Sequence, residues 1–310
     1  MTDSPGYLAL DVGGTKTIGA VVGTGGEVLA SARVPTPTGH GSEEVFEACV
    51  FALEAARSET PVSAIGLGVG CGGPMKWPSG DVSPLNIPDW RDFPLRDRLA
   101  DRLEVPVRVH NDAICLTIGE HLLGGGRGLN NVLGMVVSTG VGGGIVADGQ
   151  LLTGASGNAG HIGHVVVEPT GPKCSCGGRG CLEAVARGPA VVGWALAQGW
   201  QSVDPAGESL AASAREGDPI ARAAFQRCGN AVGTAVASVA ALLDLEAVTI
   251  GGGLSRAGDL LLPAVYEGFE RHAGLEFLSQ CRVLLAGEDA GLVGAAALFL
   301  AQHRYWSEGY

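Results

Sequence analysis

No lysine- or arginine-rich patch is visible in this 310-residue sequence, which carries 20 basic against 32 acidic residues and a formal net charge of −12. Phosphate-backbone binding needs such patches, so no nucleic-acid partner is expected. The stretch Met1–Tyr7 has neither the basic region nor the apolar core of an export signal. No apolar run reaches the ~20 residues that cross a bilayer. Ala231–Leu243 comes nearest and is interrupted by Gly, Thr and Ser. These absences point to the cytoplasm, without membrane contact, where the eight cysteines stay reduced. Five of them, Cys49, Cys71, Cys115, Cys228 and Cys281, stand singly in apolar segments and read as buried thiols.

Glycine, by contrast, is abundant: 51 of 310 residues, against a usual ~7%. The glycines cluster between short apolar runs. Tyr7–Asp11, Thr17–Val22 and Glu27–Val34 read as strands, and Ser42 as the cap of a helix over Glu43–Ser58. A strand over Ala64–Val69, a helix over Leu95–Leu103, a strand over Val105–Val109 and a helix over Ala113–Leu123 follow. The pattern then recurs: a strand over Asn131–Ser138, a glycine turn over Thr139–Gly144, a strand over Ile145–Ala147, an Asp148-Gly149 hairpin signal and a strand over Gln150–Thr153. Helices are expected over Pro189–Gln198, Leu210–Glu216 and onward from Asp218, which caps ahead of Pro219. Strands over Val248–Ile250 and Arg282–Leu285 precede an Ala-rich terminal helix over Leu292–Arg304. Strand, glycine turn, two strands, helix and strand thus appear twice, a duplication at domain scale.

Three glycine turns each follow a buried strand: Asp11-Val-Gly-Gly-Thr-Lys16, Thr139-Gly-Val-Gly-Gly-Gly144 and Gly251-Gly-Gly253. Bare backbone N–H groups at Gly13, Gly14, Gly140 and Gly252 suit phosphate oxygens. Thr15, Lys16 and Thr139 add donors and charge, and Asp11 is placed to hold magnesium. The first turn is not a Walker A loop. Gly68-Val-Gly-Cys-Gly-Gly73 fits the dinucleotide spacing, but Pro74 follows and no helix opens there, so that reading is rejected. Asn111-Asp112 lies between a strand and a helix. Asp112 reads either as a helix cap or as the base that takes a proton from an attacking hydroxyl.

His164, Cys174, Cys176 and Cys181 form a possible tetrahedral set in a Gly/Pro-rich segment. Structural zinc takes such ligands, and its binding supplies on the order of 10 kcal/mol of folding energy to a loop with little core. A disulfide or free thiols in a turn are the alternatives. Glu183, just past the last cysteine, is either a helix-start carboxylate or an anchored acceptor for sugar hydroxyls.

Together these residues resemble the ROK family of sugar kinases and sugar-responsive repressors, in the actin-like ATPase superfamily. The likeness runs from Leu8 to about Leu298 and is most specific at Asp11–Lys16, Asn111-Asp112, Thr139–Gly144, Gly163-His164 and Cys174–Glu183. It implies an α/β fold of two ribonuclease-H-like lobes with a structural zinc loop. The lobes are expected at 1–113, with a helix over about 295–310 returning to it, and at 114–294. It implies ATP and magnesium at Asp11, Gly14, Thr15, Lys16, Thr139 and Gly140, and zinc on His164, Cys174, Cys176 and Cys181. Sugar contacts would come from Gly73, Asn86, Asn111, Asp112, His164 and Glu183, with Asp112 as base. The resemblance implies a homodimer or homotetramer that transfers phosphate from ATP to the 6-hydroxyl of a hexose, most simply glucose.

Family kinases usually carry Glu where this chain has His161. Neutral imidazole has one acceptor and imidazolium none, so His161 cannot replace a carboxylate that accepts two hydrogen bonds. Amino and N-acetylated hexoses (glucosamine, N-acetylglucosamine, N-acetylmannosamine), fructose, and a catalytically silent sugar-binding role stay open. So does polyphosphate as donor. Ile114 is a smaller departure, at a position often Asn. The phosphate motif begins at residue 11, which leaves no room ahead of it for the repressors' winged helix.

Overall fold

The computed structural model describes residues 4–37 and 39–306. Backbone contacts group them into two compact units. One holds the described residues up to 128, 144–159 and from 287 onward; the other holds 129–143 and 160–286. The first half of the chain runs β1 (Pro5–Val12), β2 (Lys16–Val22), β3 (Val28–Pro35), α1 (Ser42–Glu59), β4 (Ser63–Cys71), β5 (Met75–Lys76), β6 (Asp81–Val82), α2 (Leu95–Leu103), β7 (Val107–Asn111) and α3 (Asp112–Leu122). The second runs β8 (Val132–Val137), β9 (Val141–Ala147), β10 (Gln150–Leu151), α4 (Leu182–Ala186), α5 (Gly188–Ala197), α6 (Gly207–Glu216), α7 (Pro219–Leu243), β11 (Ala247–Gly251), α8 (Gly258–His272), β12 (Arg282–Leu285), α9 (Ala290–Leu300) and α10 (Gln302–Tyr305).

The first large sheet has the order β3-β2-β1-β4-β7 and the second β10-β9-β8-β11-β12. In its own chain order each reads third, second, first, fourth, fifth, so the expected duplication is present. In the first, β2 is antiparallel to β1 and β3, while β1, β4 and β7 run parallel. In the second, β8, β11 and β12 run parallel.

The strand sequences follow from these positions. Central β1 and β11 are covered on both faces and are almost continuously buried. Edge strand β3 alternates, with one face in solvent. The α1 stripe of Val45, Phe46, Cys49, Val50, Leu53 and Ala56 joins the core of the first unit, with Leu8, Leu10, Leu67, Val69 and Trp90. Gly68 of β4 and Gly294 of α9 are spacing residues. A Cβ on Gly68 would lie 1.8 Å from the Ala295 carbonyl oxygen, and one on Gly294 1.6 Å from that of Cys115. The Gly-x-Gly run on β4 therefore serves close helix packing, as its rejection as a dinucleotide motif requires.

Four local expectations are corrected. Gly41, not Ser42, caps α1, and Ser42 is its first helical residue. The glycine turn is confined to about 138–140, because Val141–Gly144 already pair in β9. The terminal helix breaks at Ala301, whose φ of −129° divides α9 from α10. Helix α8 was not expected; Pro263 inside it hid a buried stripe of Leu261, Ala264, Val265 and Phe269. Asp218 does cap α7, accepting from the Ala221 N–H at 2.8 Å. Asp148 and Gly149 both take positive φ, as a type I′ hairpin needs. The five scattered cysteines are all buried and free. Among the described residues no helix is long and apolar enough to cross a membrane.

Candidate active site

In the first unit, the parallel strands β1, β4 and β7 bring their C-terminal ends together. Asp11 pairs in register with Gly70, and Asn111 with Cys71. Open α/β sheets bind ligands at such an edge. Asn111 caps α3: its Oδ1 accepts from the Ala113 N–H at 3.0 Å. Asp112 is the first helical residue, not the cap, and its Oδ1 accepts from the same N–H at 2.9 Å.

Asn86 belongs to this edge too. A Cβ on Gly14 would sit 2.7 Å from the Asn86 Cβ, and one on Gly72 would sit 3.3 Å from its Oδ1. A Cβ on Gly73 would lie 3.4 Å from Asn111 Nδ2. Asp11, Gly14, Gly73, Asn86, Asn111 and Asp112 are thus gathered in one place. The turn over Gly13–Lys16 is closed by the Gly13 N–H donating to the Lys16 carbonyl at 3.0 Å. Thr36 holds it from outside: its N–H donates to the Thr15 carbonyl at 3.1 Å and its Oγ1 to the Gly13 carbonyl at 2.7 Å. Thr36 is buried and was missed in the sequence, where a lone Thr so far along the chain carries no motif signal.

Burial and the negative charge of Asp112 push the Asp11 carboxyl up to about 7, against the pull of Lys16. Burial also raises Asp112, opposed by the backbone N–H groups it accepts from. A half-buried Asp11 carboxylate whose proton affinity is raised by burial and by a neighbouring carboxylate is a hard oxygen donor in want of a cation. Magnesium fits that donor set, since it binds through one or two carboxylates plus phosphate oxygens and water.

The second unit gathers two glycine turns. β8 ends at a turn closed by the Ser138 N–H donating to the Gly140 carbonyl at 2.8 Å. Parallel β11 ends beside it, with Gly251 opposite Val136. Gly252 (φ 94°) has Val137 backbone against it, so a Cβ would meet the carbonyl oxygen at 2.6 Å. A Cβ on Gly253 would lie 3.2 Å from Ser138 Oγ. Thr139, Gly140 and Gly252 are therefore neighbours. Glu183 Oε2 accepts from the Val141 N–H at 3.0 Å, so this carboxylate braces the turn.

His164 Nδ1 and the sulfurs of Cys174, Cys176 and Cys181 all lie within 4.8 Å of one another. The Cys176–Cys181 sulfurs are 3.8 Å apart, as are Cys174 Sγ and His164 Nδ1. A tetrahedral site with Zn–S bonds of about 2.3 Å has a sulfur–sulfur edge of about 3.8 Å. A disulfide requires about 2.05 Å, and the cysteines are free. Zinc fits this donor set. The loop is knit by backbone bonds, among them Val167 and Glu168 N–H to the Gly180 carbonyl at 2.9 and 3.1 Å. Arg227 of α7 holds Glu168 by both carboxylate oxygens at 2.9 Å. His161 is exposed and stands with its ring centroid 6.2 Å from that of His164, outside the four-donor group.

The model of the ROK family matches residues 7–302. The chain belongs to the ROK family. Among relatives of this ROK protein, the glucokinase of Streptomyces coelicolor is 36% identical, over 94% of this chain and 96% of its own. An N-acetylmannosamine kinase of Haemophilus influenzae is 32% identical over 93% of each. The crystal structure of a ROK family glucokinase from Streptomyces griseus in complex with glucose and AMPPNP superposes with a TM-score of 0.83. It has 35% identity over 94% of this chain and 98% of its own. The duplicated sheets and Cys/His loop described above are thus those of a two-lobed actin-like ATPase fold.

Proposed function

We propose that this ROK protein is an ATP-dependent glucokinase that transfers the terminal phosphate of ATP to the 6-hydroxyl of glucose. The observation that carries the reading is the meeting of Asp11, Asn86, Asn111 and Asp112 at one strand edge, in a chain similar over nearly its whole length to glucokinases. Asp112 accepts the hydroxyl proton as the oxygen attacks phosphorus. Its raised proton affinity makes it a stronger base than an exposed carboxylate. Asn86, Asn111 and the backbone at Gly73 orient the sugar, joined by His161, His164 and Glu183. Gly14, Thr15, Lys16, Thr139, Gly140 and Gly252 receive the nucleotide's phosphates, while the Gly13 N–H, spent on the Lys16 carbonyl, shapes the turn rather than binding phosphate as expected. Magnesium held at Asp11 would neutralise phosphate charge. Zinc at His164 and the three cysteines would fix the loop that carries His161 and leads to Glu183.

A second reading is a kinase for N-acetylmannosamine or another amino hexose. It is favoured by His161 and by likeness to the H. influenzae enzyme. Cytoplasmic residence and a homodimer or homotetramer complete the proposal.

An ADP-release assay over glucose, glucosamine, N-acetylglucosamine, N-acetylmannosamine and fructose, with ATP and then polyphosphate as donor, decides among these. Glucose with ATP is expected to give the highest kcat/KM. ADP release no faster with any hexose than without would leave a silent sugar binder and sink the kinase reading.

A further inference from the structure

His110 precedes Asn111-Asp112 on β7 and is fully buried. The Asn111 N–H donates to its Nδ1 at 2.9 Å. Nδ1 must therefore be unprotonated, and the ring's proton sits on Nε2, which has no hydrogen-bond partner among the described residues. A buried polar group kept in this state is held there by its surroundings. One face of the ring lies against Trp77, centroids 4.7 Å apart. Trp77 in turn lies against Trp306, at 4.6 Å. The Arg108 guanidinium covers Trp306 at 5.0 Å and is tied to Gln302 Oε1 at 2.9 Å. On another side Trp77 rests on Gly157 (φ 76°), where a Cβ would come within 2.6 Å of the indole Cγ. A chain of tilted ring contacts thus runs from Trp306, at the end of α10, to the strand tip that precedes Asp112.

We propose that His110 is a positioning residue for the transfer: held against Trp77, which Trp306 backs in turn, its Nδ1 fixes the Asn111 backbone and so aims the Asn111 and Asp112 side chains. This rests on the kinase reading. The role needs a neutral imidazole, because imidazolium would turn a donor toward the Asn111 N–H. Burial alone lowers His110 to about 3, so the acceptor persists through the physiological range. The titratable groups that packed elements bring to this end of β7 are Cys71 on β4, Asp112 and Cys115 on α3 and Arg96 on α2, with Asp11 of β1 one strand further along the same edge. Arg108 lies on β7 itself, and α9 carries none.

The test compares His110→Leu, His110→Asn, Trp77→Ala and Trp77→Ala/His110→Asn with wild type in the ADP-release assay. His110→Leu removes the acceptor. It should lower kcat on the order of tenfold to a hundredfold, the effect of a slightly misplaced base, with KM for sugar and ATP little changed. His110→Asn places an amide oxygen where Nδ1 was and should keep most of the rate. Trp77→Ala admits water to the ring, whose pKa then moves toward the ordinary value of about 6.5. Its kcat should gain an acid-side loss near that value, over and above the one that protonation of the Asp112 base gives every variant, and the double variant should lose the added loss again. Should His110→Leu not fold, the two Trp77 variants still decide. A wild-type rate in folded His110→Leu, or a Trp77→Ala pH profile superposing on wild type, overturns the assignment. A wild type inert on every hexose overturns the kinase reading and this role together. An active wild type with unperturbed variants overturns only the role of His110.

Discussion

Replacing Asp11 by Asn should make the metal-free protein more stable and the enzyme far less active, and the stability gain should depend on pH. The folded-state carboxyl lies near 7 against an ordinary 3.8, raised by burial and by Asp112. Between those two values the folded chain binds more protons at this site than the unfolded chain does. Stability therefore falls as pH rises through that window and levels off above 7. A shift of that size makes ionised Asp11 cost up to about 4 kcal/mol at pH 8 and about 1.7 kcal/mol at pH 5. The neutral amide escapes both costs. Urea denaturation without magnesium or nucleotide should thus show Asp11→Asn more stable than wild type at pH 8. The advantage should shrink by up to about 2.6 kcal/mol at pH 5. Activity should move the other way, because the amide carries no charge for a cation. An Asn variant that gains nothing at pH 8 relative to pH 5, or is less stable throughout, would refute the idea that Asp11 is a strained, cation-seeking carboxylate.

Asp112→Asn keeps an amide oxygen that can accept from the Ala113 N–H, so α3 should still start normally. Loss of the base should lower kcat by about 10²–10⁴-fold, read by ADP release with circular dichroism as the fold control. A chelator, or Cys181→Ser, should release about one equivalent of zinc per chain, measured by a colorimetric zinc dye. The 160–183 segment should then become protease-sensitive, and failure to release zinc would exclude the four-donor site. His161→Glu restores a two-acceptor carboxylate and should lower the KM for glucose relative to N-acetylmannosamine. An unchanged preference in the sugar panel would mean that His161 does not touch the ring.

Much of the architecture was legible because local chemistry and tertiary role agree. The strand–turn–strand duplication shows in apolar runs of strand length separated by Gly clusters. Asp218-Pro219 and Asp148-Gly149 specify a cap and a hairpin by backbone chemistry alone. The Cys/His donor set was legible because soft ligands crowd into one Gly/Pro-rich loop with little core of its own. Helix α8 was not, since Pro263 argues against a helix locally and the buried stripe on either side of it outweighs that signal only once packed. The break between α9 and α10 was hidden by continuous apolar sequence.

The residues of the candidate site separate along the same line. Those proposed to act through their own chemistry, such as Asp11, Asp112 and the cysteines, stand in runs of unusual composition. Those that act by holding others do not. Thr36 has an ordinary neighbourhood in sequence, yet it closes the Gly13–Lys16 turn from across the sheet. Glu183 stands out as a sugar ligand by its place after Cys181, yet the structure gives one of its oxygens to the Val141 N–H. If that brace must loosen for the carboxylate to reach a sugar, the Gly140 turn would shift as sugar binds. A Glu183→Gln variant separates the two roles. Its amide oxygen can still accept from Val141, so nucleotide binding should survive while sugar affinity falls. Loss of both together would make Glu183 a scaffold residue only.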